Sequence, residues 1–164
     1  MGIMDAANKI LTFTDEAEVG GQPFNKFPED DAEAAAFWSE VWFEVVKDLI
    51  APPISVPPNP SKALWAATME PLIAVPDGGL AAFDAAATAA FPALAASIVP
   101  NLIATPAAPP LLAAITAALA PFIAGSEDPV GPAIATAGAF GAYVASAMWT
   151  APGPPAPAPF VVKP

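Results

Sequence analysis

Four carboxylates crowd into five positions, Glu29, Asp30, Asp31 and Glu33. Paired carboxylates can do general acid–base work, and grouped carboxylate oxygens can hold Ca²⁺. Both ideas meet obstacles. The run lacks the spaced acids and turn glycine of a calcium loop. It also precedes an apolar-periodic segment, where acids simply oppose the helix macrodipole. A solvated helix N-terminus explains the same residues. Trp38, Trp42, Trp65 and Trp149 could stack on a sugar, but the helical spacing of Trp38 and Trp42 suits a core. The remaining inventory is thin. With no His and no Cys, Ser-His-Asp and Cys-His nucleophiles cannot form within the chain, and disulfides and thiolate metal sites are excluded. No phosphate-binding loop, dinucleotide-binding glycine motif or HExxH helix occurs. The sequence therefore offers no catalytic, cofactor-binding or metal-binding residue, and the expectation is a protein that is not an enzyme and carries no cofactor.

Charge narrows the partners. The 164 residues include 16 acids and 5 lysines, for a net charge of −11. Binding nucleic acid requires cations that displace counterions from phosphates, so no nucleic-acid partner is expected. Anionic membrane surfaces are disfavoured for the same reason. Hydrophobic residues make up 55% and charged residues 13% of the chain, about half the usual charged share of roughly 25%. The deficit is uneven: residues 63–164 hold five acids and one lysine. So apolar a chain is not a disordered acidic tail. The opening MGIMDAANKI has no basic region followed by an apolar one, so no signal peptide is expected, and Ala6 stands where a myristoylation motif wants Ser or Thr.

The elements follow from periodicity and punctuation. Residues 1–29 read as a short helical or extended N-terminal arm and then a loop, with Gly-Gly and two prolines in VGGQPFNKFPEDD. A helix over 31–50 is the clearest element. Trp38, Val41, Trp42, Val45 and Leu49 form one row, and Phe43, Val46 and Ile50 a second beside it. The apolar arc is about 200° wide, against about 100° for a simple surface helix, so this helix needs partners on more than one side. APPISVPPNP (51–60) is a stiff linker, with Asn59 as N-cap and Pro60 at the first position of the next helix. Further helices are expected at 61–75, bent or shortened by Pro71; at 77–99, capped by Asp77 and broken near Pro92; at 110–124, strained at Pro121 and followed by Gly125; and at 131–150, near Asp128. The tail APGPPAPAPFVVKP (151–164) reads as a Pro-rich C-terminal arm that ends in Phe160, Val161 and Val162. The expected fold is all-α: a compact bundle of about five short, proline-punctuated helices over 30–150, with an extended arm at each end.

Two uses of the apolar half compete. Between Asp84 and Glu127 lie 42 uncharged residues, but prolines leave no run near the roughly 20 apolar residues a membrane span needs. Residues 133–151 are free of proline and charge, yet most are Ala, Gly, Ser or Thr, which insert weakly. A membrane-inserting helical hairpin is thus the alternative, and a membrane partner is not expected. Small residues also let helices approach closely, and Ile134, Gly138, Gly141 and Ala145 lie near one stripe. Little polar surface is tolerable when neighbouring subunits cover it.

The segments FWSEVWFEVVKDLIAPP and NPSKALWAATMEPLIAV, with the Ala/Pro-rich remainder, resemble small virion structural proteins of large tailed bacteriophages. The resemblance covers residues 37–164 in style and transfers no functional residue. It implies a non-catalytic structural subunit of a tail, baseplate, neck or capsid, made in the host cytoplasm and localised in the virion. Such a subunit would act by helix packing and arm exchange on copies of itself and other structural proteins. The residues expected at interfaces are Trp38, Trp42, Gly138, Gly141, Phe160, Val161 and Val162.

Overall fold

The computed structural model describes residues 2–12, 18–19, 22–23, 28–51, 54, 57–75, 78–98, 103–105, 111–123, 130–150 and 158–164. Among them are six helices: α1 (Gly2–Leu11), α2 (Asp31–Val46), α3 (Asn59–Ile73), α4 (Gly79–Ala96), α5 (Leu111–Ile123) and α6 (Val130–Ser146). The fold is all-α. Strands are short: β1 (Glu18–Val19) pairs with β2 (Gln22–Pro23), while β3 (Ile103–Thr105), β4 (Met148–Thr150) and β5 (Ala158–Pro159) form an antiparallel set in the order β3-β4-β5.

The wide apolar arc of α2 finds the several partners it requires. The helix packs against α3, α1 and α6, and Val41, Trp42, Val45 and Val46 are fully buried. An aromatic cluster joins four helices. Trp42 stacks on Trp65 at 4.9 Å, Trp38 meets Phe83 edge-on at 4.9 Å, and Phe140 lies 5.4 Å from Trp65. Such pairs add about 0.5–1.5 kcal/mol each beyond burial. They supply the large contacts that alanine-rich α4 and α6 lack by themselves.

Several expectations need correction. The N-terminal arm contains α1, which packs on α2 and α6 as part of the bundle. The helix expected over 31–50 stops at Val46, and that expected over 131–150 stops at Ser146, after which Met148–Thr150 is a strand. Asn59 begins α3 itself, and Pro58 holds the cap position with no side-chain bond. Asp77, Gly125, Asp128 and the connector 151–157 lie outside the described residues.

One proline behaves differently from expectation. Pro92 does not break α4, which runs on to Ala96, and Pro71 and Pro121 lie inside α3 and α5. A proline in a helix interior costs about 3 kcal/mol because it removes a bond to residue i−4 and crowds that carbonyl. Here the i−4 residues are Ala67, Thr88 and Ala117, and all three are solvent-exposed. Water can satisfy the orphaned carbonyls, while buried Phe91 and Leu94 hold the helix on either side of Pro92.

Candidate functional site

The acidic cluster resolves into a helix cap. Asp30 has extended backbone at φ −143° and is the N-cap of α2; its side chain accepts a 2.8 Å bond from the Glu33 N–H. Glu33 reaches back to accept from the Glu29 N–H at 2.9 Å. The first bond satisfies one of the donors that a helix start leaves unpaired, and the second ties the residue before the cap to the first turn. Glu29, Asp30, Asp31 and Glu33 are all exposed, so no cleft shields them for acid–base work. Among the described residues, no group of three or more acids is placed to hold a metal ion.

The other charges knit α1, α2 and α3 together. Lys47 bridges Glu44 on its own turn and Asp5 of α1, the latter at 3.4 Å. The hydrogen bond to Glu44 is the main reason the Lys47 ammonium is held above its ordinary pKa, partly opposed by desolvation. Lys62 of α3 pairs with Glu40 and lies 5.6 Å from the centre of the Phe43 ring. These are half-buried ties, worth about 1 kcal/mol or less each.

A more distinctive arrangement surrounds the end of the chain. Phe160 is 2% exposed, and its ring meets Phe91 of α4 edge-on at 5.4 Å. Its N–H donates to the Ala147 carbonyl at 3.2 Å. Val161 exchanges main-chain bonds with the strip after α2: its N–H donates to Ala51 at 2.7 Å, and its carbonyl accepts from Ile50 at 2.9 Å. The Lys163 carbonyl accepts from the Ile3 N–H at 3.1 Å. Gly2 makes this approach possible, because a β-carbon there would lie 3.1 Å from the Lys163 carbonyl oxygen and 3.2 Å from that of Val45. The arm 158–164 thus docks in a seat built from α1, the end of α2, α4 and α6 of its own chain.

The residues expected at interfaces divide accordingly. Trp42 is fully buried and donates to Ser61 Oγ at 2.7 Å, so it presents no surface as folded. Trp38 is half-buried between Phe37, Phe83 and Phe140. Phe160 fills the arm seat. Gly141 lies under Ile3, with Val162 beside it. Gly138 is different: a β-carbon there would meet nothing within 4 Å. Val161, 41% exposed, also faces outward. The stripe of Ile134, Gly138, Gly141 and Ala145 is therefore covered at Gly141 and open at Gly138 and at Ile134, which is 41% exposed. Nothing in the sequence signalled the arm seat, since its members come from four segments distant in sequence.

No family model, curated protein or solved structure matches the chain. The site must therefore be judged on its own surface. Among the described exposed residues of α3, α5 and α6, Glu70 is the only charged one. Leu64, Ala67 and Pro71 line the outside of α3; Ala113, Ala117 and Ala120 that of α5; Ile134 and Ala142 that of α6. The charges gather instead on α1, α2 and the start of α3. Among the described residues, no helix is long and apolar enough to cross a membrane.

Proposed function

We propose that the chain is a non-catalytic structural subunit of a large protein assembly, and that the assembly is a tailed-phage particle. The observation that carries the first part is the nearly uncharged outer surface of α3, α5 and α6. Exposed residues of an isolated domain are ordinarily rich in Lys, Glu, Asp and Arg. Alanine and proline faces give up that hydration, and burial against a neighbour returns stability in proportion to apolar area. The charged side, α1 and α2, would then face solvent. The phage assignment rests on the resemblance of residues 37–164 to small virion proteins.

The test is assembly of the full-length chain in detergent-free buffer, followed by light scattering behind size exclusion. Leu64→Lys and Ala142→Lys place a charge on exposed positions that the fold tolerates. A discrete oligomer that either variant dissociates, with helicity unchanged by circular dichroism, supports the proposal. An oligomer indifferent to both variants removes the uncharged faces as contacts. Full-length protein that dissolves only with detergent would favour the membrane-inserting alternative.

A further inference from the structure

We infer that a second copy of this chain docks on the outer side of the seated arm, with Val161 and Lys163 of each copy against Ile50 and Asp48 of the other. This contact lies at the end of the bundle where α2 and α6 finish. It is separate from the uncharged faces of α3, α5 and α6 and stands or falls apart from them.

The arm keeps its own seat and presents one side outward. Phe160 is buried and Val162 half-buried against the body, while Pro159, Val161 and Lys163 are exposed, the alternation of extended backbone. Two neighbours widen that row. Met148, also exposed, lies opposite Pro159 across the β4–β5 pair. Ile50, 57% exposed, donates its N–H to the Val161 carbonyl. Eight large hydrophobic side chains are exposed among the described residues, and three of them, Ile50, Met148 and Val161, gather here. Single exposed apolar side chains need no explanation, whereas grouped ones mark contacts.

The charges beside this patch indicate what covers it. Asp48 and Lys163 are both exposed, and neither is ion-paired among the described residues. Nearby Lys47, Glu44 and Asp5 are tied to one another instead. A basic partner would meet Lys163, and an acidic one Asp48; the patch complements itself. The Ala51–Val161 bridge is antiparallel, so Asp48 and Ile50 lie on one strip, with Val161 and Lys163 on the strip beside it. A two-fold axis running between the strips lays each strip on the other strip of the second copy. Lys163 then meets Asp48 and Val161 meets Ile50, and symmetry makes each contact twice, as an isologous interface requires. Opposite charges at the rim fix this register against slipped ones, because copies with a net charge of −11 otherwise repel.

A charge swap tests the inference, read by sedimentation velocity on the full chain over a range of concentrations at low ionic strength. Lys163→Glu and Asp48→Lys should each weaken self-association by about three- to thirty-fold, because each turns two attractive pairs into two repulsive ones. Asp48→Lys is the more telling of the two, since it lowers the net negative charge and by itself would ease repulsion. The double variant should regain most of the lost affinity. The arm is held to Ile3 by the Lys163 main chain, so all variants should keep the wild-type circular dichroism. Monomers at every concentration, single variants without effect, or a double variant no better than the singles would overturn the inference. Leu64→Lys and Ala142→Lys in the same runs separate the two proposals. Association that they abolish and the charge swap leaves untouched ends this contact and keeps the uncharged faces. Association that follows the charge swap and ignores them supports this contact and counts against those faces.

Discussion

Replacing Gly138 with alanine separates what the isolated chain wants from what an assembly wants. Gly138 lies mid-way along the 17 residues of α6. Glycine in a helix interior is less favourable than alanine by about 0.8–1.0 kcal/mol, because it loses more backbone freedom on folding. A β-carbon at Gly138 meets nothing within 4 Å, so no clash offsets the gain. Gly138→Ala should therefore stabilise the chain by about 0.5–1 kcal/mol, a Tm rise of roughly 1–4 °C at this size. Gly141 is the internal control. The same backbone gain applies, but its β-carbon would fall 2.7 Å from Ile3 Cδ1 and 3.0 Å from Ile3 Cγ1. The tip of Ile3 must move, and Gly141→Ala should gain less or lose. Urea denaturation followed by circular dichroism, at a concentration too low for assembly, measures both. A destabilised Gly138→Ala, or a Gly141→Ala more stable than Gly138→Ala, would refute the reasoning. Gly138→Leu then probes the assembly. If α6 meets a neighbour at this glycine, the larger side chain lowers assembly while leaving the fold intact.

Two buried hydroxyls should respond in opposite directions. Ser61→Ala strips the acceptor from the buried Trp42 indole and should cost about 1–3 kcal/mol. Thr136→Val removes a buried hydroxyl that has no hydrogen-bond partner among the described residues and should be neutral or stabilising; equal losses in urea denaturation would contradict the assignment. Pro92→Ala restores a main-chain bond on the exposed side of α4, and should raise stability by about 1–2 kcal/mol after allowing for a freer unfolded chain; no gain on thermal unfolding would mean that the helix depends on the proline. Tyr143, the single tyrosine, is held above pKa 10.0 mainly by burial, with the Asp84 charge adding to the rise and a Thr88 hydrogen bond opposing it. The folded state therefore keeps the proton more tightly than the unfolded one. This stabilisation is fully present below pH 10 and is lost as pH climbs through the raised value. Phenolate absorbance should show a folded midpoint above that of the denatured chain, and a midpoint at or below it would remove Tyr143 from the buried set.

Local signals carried the helices, and long-range pairings stayed hidden. The row Trp38, Val41, Trp42, Val45 and Leu49 made α2 legible because helical period and burial agree there. Pro92 misled because the effect of a proline depends on which side of the helix faces water. Pro92 sits on the exposed side of α4, a fact that the alanines around it do not encode. Met148–Thr150 became a strand because β3 and β5 offer it partners; Trp and Thr favour strands, a signal overshadowed by the long proline-free run before them. The cap at Asp30 and Glu33 was readable as an acid followed three residues later by Glu. The bond from Trp42 to Ser61 spans 19 positions and leaves no trace in spacing. The arm seat is similar, since Gly2, Ala51, Phe91 and Ala147 share nothing but the segment they enclose.

The central claim is that this chain is built into a particle. Particles purified from the producing culture by density-gradient sedimentation, then analysed by quantitative mass spectrometry, test it most directly. The account predicts that peptides of this chain sediment with intact particles in a fixed ratio to the major structural proteins and remain after a high-salt wash. Recovery of the chain only from the soluble or membrane fraction, with none in the particle band, would contradict it.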